Sequence, residues 1–357
     1  RGENLQRAIG CYQAALRVHT EEAFPADWAA TQNNLGIAYR NLPTGDGGEN
    51  LQRAIGCYQA ALRVHTEVAF PQDWAGIQYN LGIAYRNLPT GDRGENLQRA
   101  IECYQAAVRV YTEATFPQDW AMTQNNLGSA YTNLPTGDRG ENPQRAIECY
   151  QAALRVYTEA AFPQDWAMTQ YNLGSAYQKL PTGDRGDNLQ RAIECYRAAL
   201  RVYTEEAFPK DWAVTQNDLG VAYTNLPTGD RGENLARAIE CYQAALRVMG
   251  EAAFPEEWSR ISYNLALAYR MARQPDAGCA VLIGVVNAQP ENAKAQYLLA
   301  CLLALSGSAD DALEHLARAI ALDGPQYRRL ARDDEDFASL RNDARFQALL
   351  LERAEGE

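Results

Sequence analysis

The chain has 357 residues, 46% of them hydrophobic, and a formal net charge of -12 at pH 7. This composition suffices for a folded core and is too polar for a membrane protein, and no run of 18 or more apolar residues predicts a spanning helix. The acidic balance, with lysine only at Lys179, Lys210 and Lys294, argues against binding to nucleic acid phosphates. We therefore expect a cytoplasmic protein that binds neither nucleic acid nor a membrane.

The first 22 residues repeat letters from the interior of the chain. RGENLQRAI at the N-terminus is found again at Arg93–Ile101. We therefore interpret residues 1–22 as a partial first repeat that holds only the second helix of a pair. The same match leads us to expect that the chain is a fragment of a longer protein.

A period of 46 residues runs through residues 23–252, which we interpret as five long repeats. A self-similar step of this length predicts a solenoid of stacked supersecondary units instead of independent globular domains. The period is marked by six tryptophans, namely Trp28, Trp74, Trp120, Trp166, Trp212 and Trp258.

Each long repeat is predicted to be a pair of helices. In the first copy, Trp28, Leu35 and Tyr39 follow the 3.6-residue period of one helix, and Ala54 and Tyr58 belong to the apolar stripe of a second. The intervening segment, LPTGDRGEN in the second copy, contains one Pro and two Gly, which end a helix and form a loop.

The start of the second helix is predicted from the third long copy, where Pro143 replaces the usual leucine. Proline is tolerated at the first helical position and is costly further in. We therefore expect Asn142 to be the N-cap of this helix. The equivalent asparagines are expected to be the N-caps of the sister copies, namely Asn50, Asn96, Asn188 and Asn234.

The repeated cysteine and tryptophan positions are predicted to be core. Neighbouring copies of a stacked helix lie about 8–10 Å apart, beyond the roughly 7 Å limit for the Cα atoms of a disulfide. No CxxC motif or Cys/His cluster is present, so we expect reduced and buried thiols, no metal, no cofactor and no enzyme active site. The repeated cysteines are Cys11, Cys57, Cys103, Cys149, Cys195 and Cys241.

The long step ends after residue 252. Leu265 and Leu299 are 34 residues apart, which predicts two shorter repeats in residues 253–324. Residues 325–357 contain the charged amphipathic stretch DDEDFASLRNDARFQALL. We interpret this region as capping helices and a tail, because the end of a solenoid needs a polar outer face.

Six positions of each full copy follow a recognisable alternation of small and large residues, which in the first copy are Leu35, Gly36, Tyr39, Ala54, Tyr58 and Ala61. This pattern resembles the tetratricopeptide repeat. The resemblance implies an all-α, right-handed superhelical solenoid of antiparallel helix pairs with no catalytic activity of its own. It also implies that the partner is a protein or an extended peptide bound in the concave groove.

The length of the long repeat refines the resemblance. An ordinary tetratricopeptide unit has about 34 residues, whereas this one resembles the longer units of kinesin light chains. The segment AIECYQAALRVYTE is still more similar to the repeats of bacterial arrays that are attached to CHAT-type peptidases or signalling NTPases. This implies a scaffold or sensor arm of a larger bacterial signalling or defence protein, whose partner is either separate or an effector domain of the same parent chain. The alternative is an idealised, engineered array without a natural ligand, which the near-identity of the copies allows.

The resemblance also places five positions of the first helix in the groove, which in the first copy are Asn33, Asn34, Ile37, Arg40 and Asn41. Three of these positions supply the candidate binding residues. One position is Asn34, Asn80, Asn126, Asn172, Asp218 and Asn264; the second includes Tyr79, Tyr171 and Tyr263; the third includes Arg40, Arg86 and Arg270. An amide that donates and accepts together suits a peptide backbone, but it also suits a tie between one repeat and the next. The sequence leaves these two roles of the asparagines open.

Overall fold

The computed structural model describes residues 2–137 and 140–351, and the regular elements in these residues are all helices. Contacts divide the chain into two compact units, Arg1–Asp184 and Arg185–Glu357, here called unit 1 and unit 2. The predicted all-α fold is confirmed. Among the described residues, no helix is both long enough and apolar enough to cross a lipid bilayer.

Unit 1 consists of a single helix followed by helix pairs and a last unpaired helix. Each helix packs on the next one along the chain, so that the helices form a continuous stack. They are α1 (Gly2–Ala15), α2 (Pro25–Arg40), α3 (Gly47–Ala61), α4 (Pro71–Asn87), α5 (Arg93–Val110), α6 (Pro117–Asn133), α7 (Glu141–Ala153) and α8 (Pro163–Lys179).

Unit 2 continues the same alternation and ends in shorter elements. Its helices are α9 (Arg185–Ala199), α10 (Pro209–Asn225), α11 (Arg231–Val248), α12 (Pro255–Met271), α13 (Pro275–Ala288), α14 (Ala293–Leu305), α15 (Ala309–Leu322) and α16 (Gly324–Asp333), followed by the 3₁₀-helix η1 (Glu335–Leu340) and by α17 (Ala344–Leu350). We call the first helix of each pair helix A (α2, α4, α6, α8, α10, α12, α14) and the second helix B.

The sequence FP starts every helix A of the long repeats. In the first copy Pro25 is the first helical residue, where its missing N–H removes no hydrogen bond. Asp27 follows in the first turn, where its negative charge is favourable to the helix dipole. Trp28 is buried, which confirms the predicted core role of the tryptophan, whereas Phe24 is 47% exposed.

The structure corrects the predicted N-cap of helix B. In α3 the cap is Asp46, whose carboxylate accepts a hydrogen bond from the backbone N–H of Glu49 at 2.8 Å. Asn50 lies in the first turn, is buried, and donates from Nδ2 to the carbonyl of Thr44 at 2.9 Å. It therefore fastens the loop to the helix and does not cap it. The loop turns at Gly45, whose φ of +81° favours glycine.

The same correction applies to the sister copies. Asp92 and Asp230 cap α5 and α11 through their side chains. In the third long copy α7 begins at Glu141, and Asn142 donates to the carbonyl of Thr136 at 2.8 Å. Pro143 thus lies in the first turn, where backbone N–H groups lack an intrahelical acceptor, so the proline is tolerated without being the first helical residue. The remaining asparagines, Asn96, Asn188 and Asn234, are buried like Asn50.

A glycine on helix A and a tyrosine on helix B set the distance within each pair. A Cβ atom added at Gly36 would lie 2.6 Å from Cε1 of Tyr58, which is closer than real Cβ contacts. Tyr58 is fully buried, as are Ala54 and Ala61 on the same helix. The contact recurs between Gly82 and Tyr104, Gly128 and Tyr150, and Gly220 and Tyr242.

An arginine near the end of helix B joins neighbouring repeats. The guanidinium carbon of Arg63 lies 5.1 Å from the ring centre of Trp28, and Nη2 donates to Glu21 at 2.5 Å. The ion pair is exposed and contributes about 0–1 kcal/mol, while the cation–π contact adds about 0.5–1 kcal/mol. The arrangement recurs at Arg109 with Trp74, at Arg155 with Trp120 and at Arg247 with Trp212.

The end of unit 2 folds back onto its own repeats. Phe337 of η1 and Phe346 of α17 are fully buried in one apolar cluster with α14, α15 and α16. The segment η1 packs directly on α14, which is a helix A. The charged C-terminal stretch is thus a folded cap whose aromatic side chains complete the core.

The six repeated cysteines differ in burial. Cys103, Cys195 and Cys241 are buried, Cys57 and Cys149 are partly buried, and Cys11 on α1 is exposed. Burial raises the pKa of Cys103 to about 12 and that of Cys57 to about 11. The prediction of buried thiols therefore holds for the three buried cysteines and is wrong for Cys11.

We predict that one internal repeat can be removed without loss of the fold. Deleting residues 71–116 joins Phe70 to Pro117 and restores the same FPQDW sequence at the junction. Because each repeat packs mainly on its neighbours, the shorter chain should keep the same helicity per residue and melt cooperatively. Far-UV circular dichroism and thermal melting test this. An unfolded product would show instead that the chain is one indivisible domain.

We also predict that thiol reagents distinguish the cysteines in the native protein. Cys11 should react first, and Cys103, Cys195 and Cys241 on the order of a hundredfold more slowly, because the thiolate is the reactive form and burial disfavours it. Mass spectrometry of timed labelling reactions measures each site. The same reaction in denaturant is the control and should give similar rates at all sites. Equal rates in the native protein would contradict the burial described above.

Candidate functional site

The candidate binding residues lie at fixed distances from the repeated leucine of helix A. In α2, α4, α6 and α8 these are the residues that stand two before, one before, two after and five after this leucine. Together we call them the helix-A row of unit 1. In that order of positions they are Asn33, Tyr79, Asn125 and Tyr171; Asn34, Asn80, Asn126 and Asn172; Ile37, Ile83, Ser129 and Ser175; and Arg40, Arg86, Thr132 and Gln178.

Asn80 ties the second helix A to the first. Its Nδ2 donates to Asn33 Oδ1 at 3.3 Å, and its Oδ1 accepts from Arg40 Nη1 at 2.9 Å. Both partners are on α2, one repeat earlier. The two bonds fix Asn80 and Arg40 in one inter-repeat network, and each of these side chains remains partly exposed.

Asn126 makes the same pair of bonds one repeat further on. It donates from Nδ2 to the hydroxyl of Tyr79 at 2.9 Å and accepts from Arg86 Nη1 at 2.7 Å. Tyr79 therefore takes the place of Asn33, which explains why tyrosine and asparagine alternate at this position. Burial raises the pKa of Tyr79, with Arg86 and Arg40 acting in the opposite direction, so the hydroxyl keeps its proton at neutral pH.

The remaining members of the asparagine series follow the same rule within each unit. Asn172 donates to Asn125 Oδ1 at 3.2 Å in unit 1, and Asn264 donates to Asn217 Oδ1 at 3.2 Å in unit 2. Asn217 itself donates to Asp218 at 2.9 Å. Asn34, on the first helix A of the described residues, is exposed.

The structure thus brings the predicted asparagines, tyrosines and arginines together in contacts between repeats. Of the two roles that the sequence left open, the tie between repeats is present. An asparagine amide offers up to four hydrogen bonds, and two are made in Asn80 and two in Asn126. Binding of a peptide would be a second role of the same row.

The residue at the row position of Arg40 determines whether a buried tyrosine hydroxyl on helix B has a hydrogen-bond partner. The sequence analysis missed this contact. Where the row has threonine, the tyrosine of helix B finds a partner: Thr224 Oγ1 lies 3.1 Å from Tyr242 Oη, and Thr132 Oγ1 lies 3.3 Å from Tyr150 Oη. Where the row has arginine, the hydroxyls of Tyr58 and Tyr104 are buried without a hydrogen-bond partner among the described residues. Copies that differ by one residue thus differ in buried hydrogen bonding.

An unpaired buried hydroxyl costs about 1–3 kcal/mol. Each arginine instead donates a charge-assisted hydrogen bond to the asparagine of the next repeat, which is worth a similar amount, about 1.5–3 kcal/mol. Arginine at positions 40 and 86 therefore exchanges a bond within the helix pair for a bond between repeats. The alternation between arginine and threonine is visible in the sequence, but the tyrosine that the threonine bonds is 18 residues away on another helix.

In unit 2 the corresponding arginine holds carboxylates. Arg270 donates from Nη2 to Asp334 at 2.9 Å, and its Nε bonds Asp336. Tyr297 donates its hydroxyl to Asp334 at 3.0 Å, and Cys301 Sγ lies 3.6 Å from the same carboxylate. Tyr297 and Cys301 stand two residues before and two after Leu299, so they occupy row positions of α14.

Arg270 bonds carboxylates because the next helix A has no asparagine at the position that Asn80 and Asn126 hold in unit 1. The residue before Leu299 is Leu298, which is buried and offers no side-chain acceptor to Arg270. Burial raises the pKa of Asp336, and the hydrogen bond and charge of Arg270 oppose that rise. Sequence reasoning placed Arg270 in the groove but missed both aspartates, because they are more than 60 residues away along the chain.

The same cluster contains the one group of potential metal ligands found among the described residues. Cys301, Asp334 and Asp336 bring ligand atoms within 4.8 Å of one another. The Arg270 guanidinium bonds both carboxylates, so it supplies the positive charge that a metal ion would bring. The arrangement is an arginine–carboxylate contact, and we assign no metal to it.

We predict that the asparagine ties stabilise the stack. Replacing Asn80 and Asn126 by Ala removes four inter-repeat hydrogen bonds, each worth about 0.5–1.5 kcal/mol. The better helix propensity of Ala returns up to roughly 0.7 kcal/mol at each site. The double variant should therefore lose roughly 1–4 kcal/mol in the free energy of unfolding, measured by chemical denaturation.

The first copy supplies the matched control. Asn34→Ala changes the same repeat position where the side chain is exposed, so its stability should be unchanged or slightly higher. If the double variant were as stable as the parent chain, the hydrogen bonds between repeats would contribute nothing measurable.

Comparison with known families gives three matches. The model described as "Soluble NSF attachment protein, SNAP" matches residues 95–254, "Tetratricopeptide repeat" matches residues 263–327, and "Sel1 repeat" matches residues 29–63 and 78–109. A search of curated proteins finds no match.

Solved structures with the same fold include two tetratricopeptide proteins. The C-terminal part of a TPR repeat-containing protein from Cytophaga hutchinsonii is 16% identical with a TM-score of 0.53, over 84% of this chain and 99% of that one. A tetratricopeptide repeat protein from Parabacteroides merdae is 16% identical with a TM-score of 0.52, over 85% of this chain and 97% of that one. The chain thus shares the all-helical repeat fold of these tetratricopeptide proteins, and residues 263–327 match the tetratricopeptide repeat itself.

Proposed function

We propose that the helix-A row of unit 1 binds an extended segment of a partner protein. Tetratricopeptide folds serve in general as scaffolds for protein or peptide binding. In this chain the row presents amides, hydroxyls and guanidinium groups that are partly exposed. Such groups donate and accept hydrogen bonds at the same time, which is what the backbone of an extended peptide requires.

The observation that carries the proposal comes from unit 2. There the row positions Arg270, Tyr297 and Cys301 hold a piece of polypeptide, the segment from Asp334 into η1. The segment contacts α14 as a ligand would, although it belongs to the same chain. A row of this geometry is therefore compatible with a bound peptide segment, and unit 1 offers the equivalent positions.

The inter-repeat ties do not exclude this role. Tyr79 accepts a hydrogen bond from Asn126 and keeps its own hydroxyl hydrogen to donate. Arg40 and Arg86 each spend one of five N–H donors on an asparagine. The ties thus fix the orientation of the side chains, and preorganised groups lose less entropy when a partner binds.

The cellular setting is part of the proposal. We infer a non-enzymatic scaffold or sensor arm in a bacterial cytoplasm, whose partner segment belongs to another protein or to an effector domain of the same polypeptide. The eight free cysteines suit a reducing compartment. The acidic net charge favours protein partners over nucleic acid.

The proposal is tested by blocking the row without disturbing the core. In the variant Ile83→Lys with Ser129→Lys, two long charged side chains stand in the middle of the row at partly exposed positions. Peptides selected from a random displayed library on the parent chain should lose at least tenfold in affinity for this variant. Fluorescence anisotropy with synthetic copies of the selected peptides gives the dissociation constants.

A matched control carries the same added charge on helix B. Gln98→Lys with Gln144→Lys alters two exposed residues outside the row and should bind the selected peptides as the parent chain does. Circular dichroism confirms that both variants fold. Equal affinity for the parent chain and the row variant would refute binding at this face.

A further inference from the structure

An open cleft of about 430 Å³ lies between the loops of the third and fourth long copies, within unit 1. This volume falls within the range of small-molecule sites, about 300–1,000 Å³. One member of the helix-A row, Thr132, is among the residues that line the cleft. Its apolar wall is formed by Tyr131, Leu134, Pro135, Pro143 and Pro181.

The proline at position 143 of this wall departs from the repeat. The other copies have leucine at the equivalent position, namely Leu5, Leu51, Leu97, Leu189 and Leu235. Leu97 and Leu189 are 0% exposed, so in those copies an aliphatic side chain occupies this place in the core. Proline reaches less far, because its ring returns to its own backbone nitrogen. The third long copy therefore lacks a leucine-sized aliphatic group that its sister copies bury.

A lysine in the same cleft is a second, independent departure. Lys179 is the only lysine in the sequence of unit 1, and the other long copies have asparagine there, namely Asn41, Asn87, Asn133 and Asn225. Asn133 and Asn225 each donate to a carbonyl of their own helix at 2.8 Å. Lys179 is exposed and makes no hydrogen bond or ion pair among the described residues. Its ammonium thus lines the cleft with its charge uncompensated.

The two departures stand on different helices and meet in one place. Pro143 is on α7 and Lys179 is the last residue of α8, yet both line the same cleft. One removes an aliphatic group from the wall, and the other adds a positive charge beside it. A ligand that complements both changes combines a branched aliphatic group with one negative charge.

We propose that this cleft binds a small, free aliphatic acid, separately from any peptide bound on the helix-A row. The branched hydrocarbon group lies against Leu134 and Pro143, where leucine side chains fill the sister copies. The acidic group lies near Lys179, and the partly apolar surroundings strengthen that attraction relative to bulk water. The site is thus a second binding function of unit 1, for a small molecule.

The test uses 4-methylpentanoate, which joins a leucine side chain to a carboxylate, and the full chain. A fragment of about eight non-hydrogen atoms should bind with a dissociation constant on the order of 1 mM. Titrations followed by saturation-transfer NMR measure this constant. The neutral 4-methylpentanamide and acetate, which lacks the aliphatic group, should each bind about tenfold more weakly.

Two variants restore the residues of the sister copies. Pro143→Leu fills the wall and should weaken binding of 4-methylpentanoate about tenfold, while the melting temperature stays the same or rises, because leucine is buried at the equivalent positions. Lys179→Asn should weaken binding of the acid by about the same factor and leave that of the amide unchanged.

Two controls separate this site from the rest of the chain. Lys210→Asn removes an exposed lysine of α10 outside the cleft and should leave binding of the acid unchanged. Pro143→Leu should bind the peptides selected on the parent chain as the parent does, so failure of the cleft and failure of the row are distinguishable.

Three results would contradict the inference. The first is the absence of saturation transfer to 4-methylpentanoate at concentrations up to about 10 mM. The second is equal binding of this acid by the parent chain and by Pro143→Leu. The third is binding that survives in Pro143→Leu but is lost in Ile83→Lys with Ser129→Lys, which would place the acid on the row.

Discussion

The close approach of Gly36 and Tyr58, repeated in every long copy that the structure describes at this contact, is the constraint on which the rest of the structure depends. A single Cβ atom at the glycine would overlap the tyrosine ring, so the spacing between helix A and helix B cannot vary from copy to copy. Fixed spacing within a pair makes each repeat the same shape. Identical shapes then place the same residue types at the same contacts between repeats, which is why ties such as Asn80 to Arg40 and Asn126 to Arg86 recur.

Uniform packing also shows where the copies depart from one another. Residues that touch the core hardly change, whereas the row position held by Arg40, Arg86, Thr132 and Thr224 changes between a charged and a neutral side chain. The threonines satisfy a buried tyrosine hydroxyl and the arginines do not. The threonines thus bond within one helix pair, whereas Arg40 and Arg86 bond the asparagine of the next repeat.

The C-terminal segment links the fold to the proposed function. Its aromatic residues close the apolar core, with Phe337 fully buried, while Asp334 and Asp336 lie on Arg270. The cap thus combines an apolar anchor with a carboxylate contact on row positions of α12 and α14. Row positions of unit 2 are thus in contact with a polypeptide segment, which is the kind of contact that the proposed function assigns to unit 1.

The sequence by itself determined the repeat period, the helix pair, the buried tryptophans and the all-helical solenoid fold, because these depend on local spacing that is read directly from the letters. It misplaced the N-caps: both Asp46 and Asn50 are good cap residues, and only the loop geometry at Gly45 decides which one reaches the first free N–H. It identified Asn80 and Arg40 as members of one face but left their role open, since a bond over 40 residues depends on how repeats stack. The contact of Arg270 with Asp334 was decided by the tertiary structure alone, because it depends on the packing of Phe337 in the apolar cluster with α14.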